Sequence, residues 1–253
     1  MDALDMGLRD RVAIVTGAGQ GIGRAVAEIL AALGTQVVAA DVDEEALVKT
    51  RASLEGDGRH VAVAVDLVVP DACERLVHET ATTYGGVDIL VNAHACMIRR
   101  SLDEVNLDIW QQMLDANLRS YFLLCRAAAE IMKTKRWGRI VNFSSQAAFT
   151  GGFESTTVYA ISKGGVNALT RSLARSLAPY GICVNSVAPG GVETRMMRED
   201  LTPIQRAKFI ESIPLGRLAT PVEVARVVAF VVSEWGGYMT GATLDVSGGM
   251  LMH

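Results

Sequence analysis

Tyr159 and Lys163 stand four residues apart in the run Tyr159-Ala160-Ile161-Ser162-Lys163, and Ser145 precedes the tyrosine by fourteen residues. Four-residue spacing on an α-helix puts two side chains on one face, about 6 Å apart along the axis. An isolated phenol titrates near 10 and is a poor base at neutral pH. An ammonium about 4 Å away, at an effective dielectric of about 20, favours the phenolate by about 4 kcal/mol, or about three pKa units. A tyrosine held that way can act as a general acid–base near neutrality. The same pair also occurs as ordinary neighbours on an exposed helix face, and the two residues alone do not separate these readings.

The segments that must position such a pair alternate between short apolar runs and longer amphipathic stretches. Strands are predicted over 12–15, 36–40, 61–65, 88–91, 139–143, 182–187 and 242–246. Helices are predicted over 22–33, from a cap at Asp43 through 47, from Pro70 onward, over 107–133 and over 158–178. Thr220-Pro221-Val222-Glu223 has capping-box spacing with proline at the first helical position. The strands are almost continuously apolar, as strands covered on both faces must be. This pattern predicts an α/β fold: one Rossmann-like domain over 1–253, a doubly wound parallel sheet of about seven strands with helices on both faces. Residues 1–7 are expected to be a flexible N-terminus.

Half of the 253 residues are hydrophobic and the formal net charge is −4. Lys133, Lys135, Arg136 and Arg139 form only a short basic cluster, which reads as a solvated helix end and gives no sign of a nucleic-acid partner. Cys73, Cys96, Cys125 and Cys183 are scattered without metal-ligand spacing, so reduced thiols, no metal and a cytoplasmic location are expected. The acidic start lacks a signal-peptide core, and the apolar run at 227–232 is too short to span a bilayer, so no membrane association is expected.

Thr16-Gly17-Ala18-Gly19-Gln20-Gly21-Ile22-Gly23 joins the first predicted strand to the first helix. Gly17, Gly21 and Gly23 read G-x-x-x-G-x-G and do not fit the G-x-G-x-x-G dinucleotide fingerprint. The physical purpose can be the same: glycines admit a pyrophosphate to the backbone, and the helix start points free N–H groups and positive dipole at it. A tight turn with nothing bound is the alternative. Asp41, eighteen residues after Gly23, ends the second strand where an acid would hydrogen-bond the adenosine ribose and repel a 2′-phosphate. Gln20 adds no positive charge, so both features favour NAD over NADP. Asp66, at the end of the third strand, either faces the adenine or starts a turn.

These residues resemble the short-chain dehydrogenase/reductases, in their single-domain branch, from about Leu8 to Gly249. The resemblance is carried by the loop from Gly17 to Gly23, Asn117, Ser145, Tyr159 with Lys163, Pro189-Gly190, Thr194 and Asp245-Val246-Ser247-Gly248-Gly249. It implies a tetrad of Asn117, Ser145, Tyr159 and Lys163. Ser145 would stabilise charge on the substrate oxygen, Tyr159 would move the proton, Lys163 would lower the tyrosine pKa and hold the nicotinamide ribose, and Asn117 would hold a water linking Lys163 to solvent. Ser144 competes with Ser145, and alignment with the family favours Ser145. The Ser145–Tyr159 spacing is one residue longer than is common. Cofactor contacts are implied for Gly17, Gln20, Gly21, Ile22, Gly23, Asp41, Val42, Asp66, Leu67, Asn92, Tyr159, Lys163, Pro189, Gly190, Val192 and Thr194. Asn92 opens a segment in which Ala93, His94 and Ala95 replace the family's usual Asn, Ala and Gly, and His94 reads as structural.

The substrate is expected between 96–98, 146–153, 190–191 and 195–215, the last as a lid carrying Met196, Met197, Leu201 and Phe209. Arg195 and Arg198 are expected to face solvent. The resemblance implies an NAD-dependent enzyme interconverting a small secondary alcohol and a ketone, assembled as a homotetramer. One alternative is a 3-ketoacyl-(acyl carrier protein) reductase. Arg136 matches one of that branch's carrier-docking arginines, while Tyr180 stands at the other. A second alternative is a non-catalytic NAD-sensing regulatory protein.

Overall fold

The computed structural model describes residues 5–56, 59–152, 155–199 and 202–252, without the Met196 and Glu199 side chains. Leu201 and Phe153, both expected near the substrate, lie outside the described residues, as do residues 1–4 of the expected flexible start. The chain alternates through β1 (Val12–Thr16), α1 (Gly21–Ala32), β2 (Gln36–Asp41), α2 (Glu44–Ser53), β3 (Val61–Ala64), α3 (Pro70–Tyr84) and β4 (Ile89–Asn92). Then come α4 (Leu107–Leu114), α5 (Ser120–Lys135), β5 (Gly138–Phe143), α6 (Ala147–Thr150), α7 (Thr157–Leu177) and β6 (Ile182–Pro189). The described elements end with α8 (Arg195–Glu199), α9 (Pro203–Glu211), α10 (Pro221–Val232) and β7 (Thr243–Val246).

The seven strands form one sheet in the order β3-β2-β1-β4-β5-β6-β7, and every pairing is parallel. This is the Rossmann-like architecture expected from the apolar runs. Alternate side chains of β1 serve opposite faces. Ala13 and Val15 join Val26, Leu30, Val224 and Val228 of α1 and α10. Ile14 joins Leu76, Val77, Leu124 and Ala128 of α3 and α5. Each such aliphatic side chain contributes about 1.5–3 kcal/mol when fully buried, which is why neither face of a central strand is polar.

Helix starts follow their local chemistry. Asp43 caps α2 by accepting from the Ala46 N–H at 3.0 Å. Thr220 and Glu223 bond each other's backbone N–H at the start of α10, as the capping box predicts. The expected continuous helix over 107–133 is instead α4 and α5 joined by a π-helical turn, Asp115–Arg119, which contains Asn117. A π turn inserts one residue into the helical ladder, and such turns concentrate at functional sites. At the N-terminus, the Met6 carbonyl accepts from the Glu234 N–H at 3.0 Å and Leu8 is buried, so the chain is already tied down within the stretch expected to be free.

Asp88, buried just before β4, fastens the N-terminal edge of the sheet. Its carboxylate accepts from the Val12 N–H at 2.9 Å and from Lys135 Nζ at 3.1 Å, with Arg11 at 3.8 Å. Its backbone N–H donates to Val12 and its carbonyl accepts from Arg139, so it links β1, β4 and β5. Asp88→Ala leaves the buried Val12 N–H without a partner, and we expect a loss of about 2–3 kcal/mol in urea unfolding, with an unchanged m-value.

Candidate active site

In the sheet order, β1 leads to β2 and β3 on one side, and the chain then crosses over to β4 on the other. Loops after β1 and β4 therefore part in opposite directions and leave a crevice at the strand C-termini, where α/β sheets bind ligands. A cavity of about 490 Å³ occupies that place. Its wall includes Gly17, Gln20, Gly21, Ile22, Gly23, Asp41, Val42, Asp66, Leu67, Ser145, Tyr159, Lys163, Pro189, Gly190, Val192 and Thr194.

The glycine loop is tightly built. A Cβ on Gly23 would lie 2.1 Å from the Gly17 carbonyl oxygen, so only glycine lets α1 come this close to β1. Gly17 itself has φ +65°, and a Cβ there would strike the backbone of His94. Unlike α2 and α10, helix α1 has no side-chain cap and no acidic residue in its first turn. Its first N–H groups and dipole are thus left for an anion. Asp41 lines the cavity with its carboxylate held by the Gly19 N–H at 2.9 Å and the Asp43 N–H at 3.1 Å. Val42, 72% exposed, forms the rim. Thr194 approaches Gly21 from the β6–α8 connection. An uncapped helix start, a Cβ-free approach and a fixed carboxylate at the far end fit a dinucleotide.

Ser144 and Ser145 separate clearly. Ser144 is buried and donates to the Lys163 carbonyl at 3.3 Å, while Ser145 lines the cavity and hydrogen-bonds the Tyr159 side chain. Lys163 is 1% exposed. Its Nζ donates to the Phe143 carbonyl at 2.7 Å and to the Tyr121 hydroxyl at 3.4 Å, and lies 5.7 Å from the centre of the Tyr159 ring.

The electrostatics differ from the expectation that Lys163 draws the phenol towards neutrality. Burial disfavours the charged form of each group: it pushes the Lys163 ammonium down to about 7 and the Tyr159 phenol up, with the Ser145 hydrogen bond pulling the phenol partly back. Residue spacing sets a distance but not how far both groups are removed from water.

Two predicted site residues are not on the cavity wall. Asn117 is fully buried. Its side-chain amide clamps Cys96, accepting from the N–H at 2.7 Å and donating to the carbonyl at 2.8 Å, and its second N–H donates to Ser162 at 3.1 Å. Both amide donors are used, so the side chain has none for the expected water. Asn92 is also buried and donates to Asn142 at 2.8 Å and Cys125 at 3.4 Å. It tightens β4 against β5 and does not line the cavity.

At the substrate end, Cys96, Met97, Gly190 and Met197 reach the cavity, whereas Phe209 packs against Gly191. Arg195 is exposed yet also lines the cavity mouth, and Arg99, which the sequence reading passed over, lines it as well. Tyr121 was also missed, although its place four residues after Asn117 puts it on the same helical side. His94 lines the cavity with its ring 4.8 Å from that of Tyr121, and burial together with the Lys163 charge pushes its pKa down to about 3.

Residues 17–251 match a family model described as enoyl-(acyl carrier protein) reductase. The chain is 38% identical over 247 residues to 3-oxoacyl-(acyl-carrier-protein) reductase FabG of Vibrio cholerae, covering 98% of this chain and 100% of that one. It is 38% identical over 252 residues to an uncharacterized oxidoreductase of Thermotoga maritima, covering 96% of each. Among solved structures it is similar to a Sinorhizobium meliloti 1021 chain assigned as a short-chain alcohol dehydrogenase, with TM-score 0.92, 33% identity and coverage of 97% of this chain and 98% of that one.

Proposed function

The chain belongs to the short-chain dehydrogenase/reductase family of oxidoreductases, and from that premise we propose that it interconverts a secondary alcohol and a ketone with NAD. The observation that carries this reading is the meeting of Ser145, Tyr159 and Lys163 on one cavity whose other end is the fixed carboxylate of Asp41.

The loop from Gly17 to Gly23 and the start of α1 would hold the pyrophosphate, Asp41 the adenosine ribose, and Thr194 the nicotinamide end. When bound, the dinucleotide supplies the hydride acceptor or donor. Ser145 gives its hydrogen bond to the substrate oxygen and stabilises charge developing there. Tyr159, already within hydrogen-bond reach of Ser145, takes the hydroxyl proton during oxidation and returns it during reduction. Lys163 sits beside it as the near cation. The 195–215 segment, which brings Met197 to the cavity, serves as the lid that shuts out water. The reading extends to a cytoplasmic homotetramer. Exposed Phe122 and Ile161 on α5 and α7 support assembly, and no helix among the described residues is long and apolar enough to cross a membrane.

A second reading, reduction of 3-ketoacyl groups on acyl carrier protein, is favoured by the relatives that carry that name. Asp41 and the neutral Gln20 weigh against it, because that branch usually prefers NADP. Arg136 turns its guanidinium to the Pro179 carbonyl at 2.9 Å, and Tyr180 stands beside it in place of the second docking arginine.

Turnover of a panel of secondary alcohols with NAD, set against reduction of a 3-ketoacyl thioester with NADPH, separates the two. Tight NAD binding with no turnover on either arm would favour a sensor. Tyr159→Phe should lower kcat by about 100- to 10,000-fold while NAD affinity stays within about twofold. Substantial residual turnover would remove Tyr159 from the proton step. Asp41→Ala should narrow the kcat/KM preference for NAD over NADP by about tenfold or more, and an unchanged ratio would mean the ribose is read elsewhere.

A further inference from the structure

On the cavity wall, His94 is the centre of a hydrogen-bonded chain whose protons can be assigned. The Ser120 hydroxyl donates its one hydrogen to the Ala116 carbonyl at 2.7 Å, so at its 2.8 Å contact with His94 Nε2 it must accept. Nε2 therefore carries the imidazole hydrogen. The Thr16 hydroxyl lies 2.7 Å from Nδ1 and 3.3 Å from the Val91 carbonyl; the shorter contact takes its hydrogen, so Nδ1 accepts, and Thr16 in turn accepts from the Ala93 N–H at 3.1 Å. This chain ties the end of β1 to the π turn and fixes the backbone at His94. The His94 carbonyl receives the Tyr121 hydroxyl hydrogen at 2.7 Å. With that hydrogen committed, the phenol oxygen of Tyr121 can only accept from Lys163.

We propose that Tyr121 is a positioning residue for Lys163, its oxygen accepting from the ammonium, so that the buried lysine is held in place and in its charged form. The ammonium lies 5.0 Å from the centre of the Tyr121 ring, within cation–π range, and Tyr121 is itself fully buried. The groups facing Lys163 are Tyr121 from α5, Tyr159 from its own helix, the Phe143 carbonyl from β5 and neutral His94 after β4. Among the described residues no carboxylate offsets the burial that pulls Lys163 down. Among the described residues, Tyr121 is then the side chain that accepts from the ammonium. The functional weight of this contact rests on the role assigned to Lys163 above, but the contact itself can be tested without turnover.

The test follows the Lys163 Cε resonance against pH in cofactor-free protein carrying ¹³C-labelled lysine, with the signal assigned through Lys163→Met. Tyr121→Phe keeps the ring and removes the acceptor, which disfavours the ammonium. The midpoint should move to lower pH by about one unit. Tyr121→Met, apolar and flexible, should move it in the same direction and serves if the phenylalanine variant folds poorly. A midpoint that stays or rises in both overturns the proposal. The kcat–pH profile of Tyr121→Phe is recorded beside it, and its limb should move with the resonance while KM for NAD holds. A resonance that moves while the limb stays supports the Tyr121 contact and overturns instead the part given to Lys163 in the reaction.

Discussion

The burial of one ammonium constrains the whole site. Lys163 is cut off from water, and a cation in that position is tolerated only where oxygen atoms and polarizable faces replace its hydration. The Phe143 carbonyl does this because Phe143 is the last residue of β5, where the strand's pairing with β4 and β6 has ended or is ending. Tyr121 does it because the π turn hands over to α5 at Ser120, and α5 then presents Tyr121 inward. The third side is open to the cavity. Tyr121 of α5 and Phe143 of β5, which touch Lys163, are buried, so the ammonium's position is set by the core rather than by a loop.

The same constraint links the core to the reaction. Asn92, Asn142 and Thr170 form a buried polar row linking β4, β5 and α7. This row lies deep beside the strands that end at the cavity, and its buried hydrogen bonds join the elements that carry it, although the Asn92 amide oxygen has no partner of its own among the described residues. Asn117 extends the effect by clamping Cys96 to the π turn and to Ser162, next to Lys163 in sequence. None of the three asparagines lines the cavity, yet all hold elements that do. The pair Tyr159 and Lys163 then works under burial: each group's charged form is disfavoured, and at neutral pH the lysine stands close to its own midpoint.

Much of the fold was legible because its signals are local. The apolar run of β1 and the Thr220–Glu223 box at α10 depend on neighbours in the chain, and both elements form where those residues stand. The glycines at 17, 21 and 23 were legible as a loop for a pyrophosphate; what Gly17 and Gly23 show is a close approach of protein backbone to protein backbone. What was not legible depends on contacts between distant segments. Nothing near Asn117 says that its amide will close on Cys96, and nothing near His94 announces Thr16 on one side and Ser120 on the other. Nothing near Asn92 announces Asn142 and Cys125, the side-chain partners that the inward face of β4 gives it. The Tyr159–Lys163 spacing gave the right neighbours and the wrong electrostatics, because desolvation is a property of the packed core.

The burial of Lys163 is tested most directly by comparing the unfolding free energies of the cofactor-free chain and its Lys163→Met variant as a function of pH. In the folded chain Lys163 releases its proton near 7, against 10.5 for the ordinary group. Between those values the unfolded chain binds the extra proton, so the lysine's destabilising effect is fully present below pH 7 and fades as the pH rises towards 10.5. The difference between the two proteins should therefore change in favour of the natural chain by roughly 3–5 kcal/mol between pH 6 and pH 10. A difference that is the same at both pH values would contradict a buried, destabilised ammonium at the centre of this site.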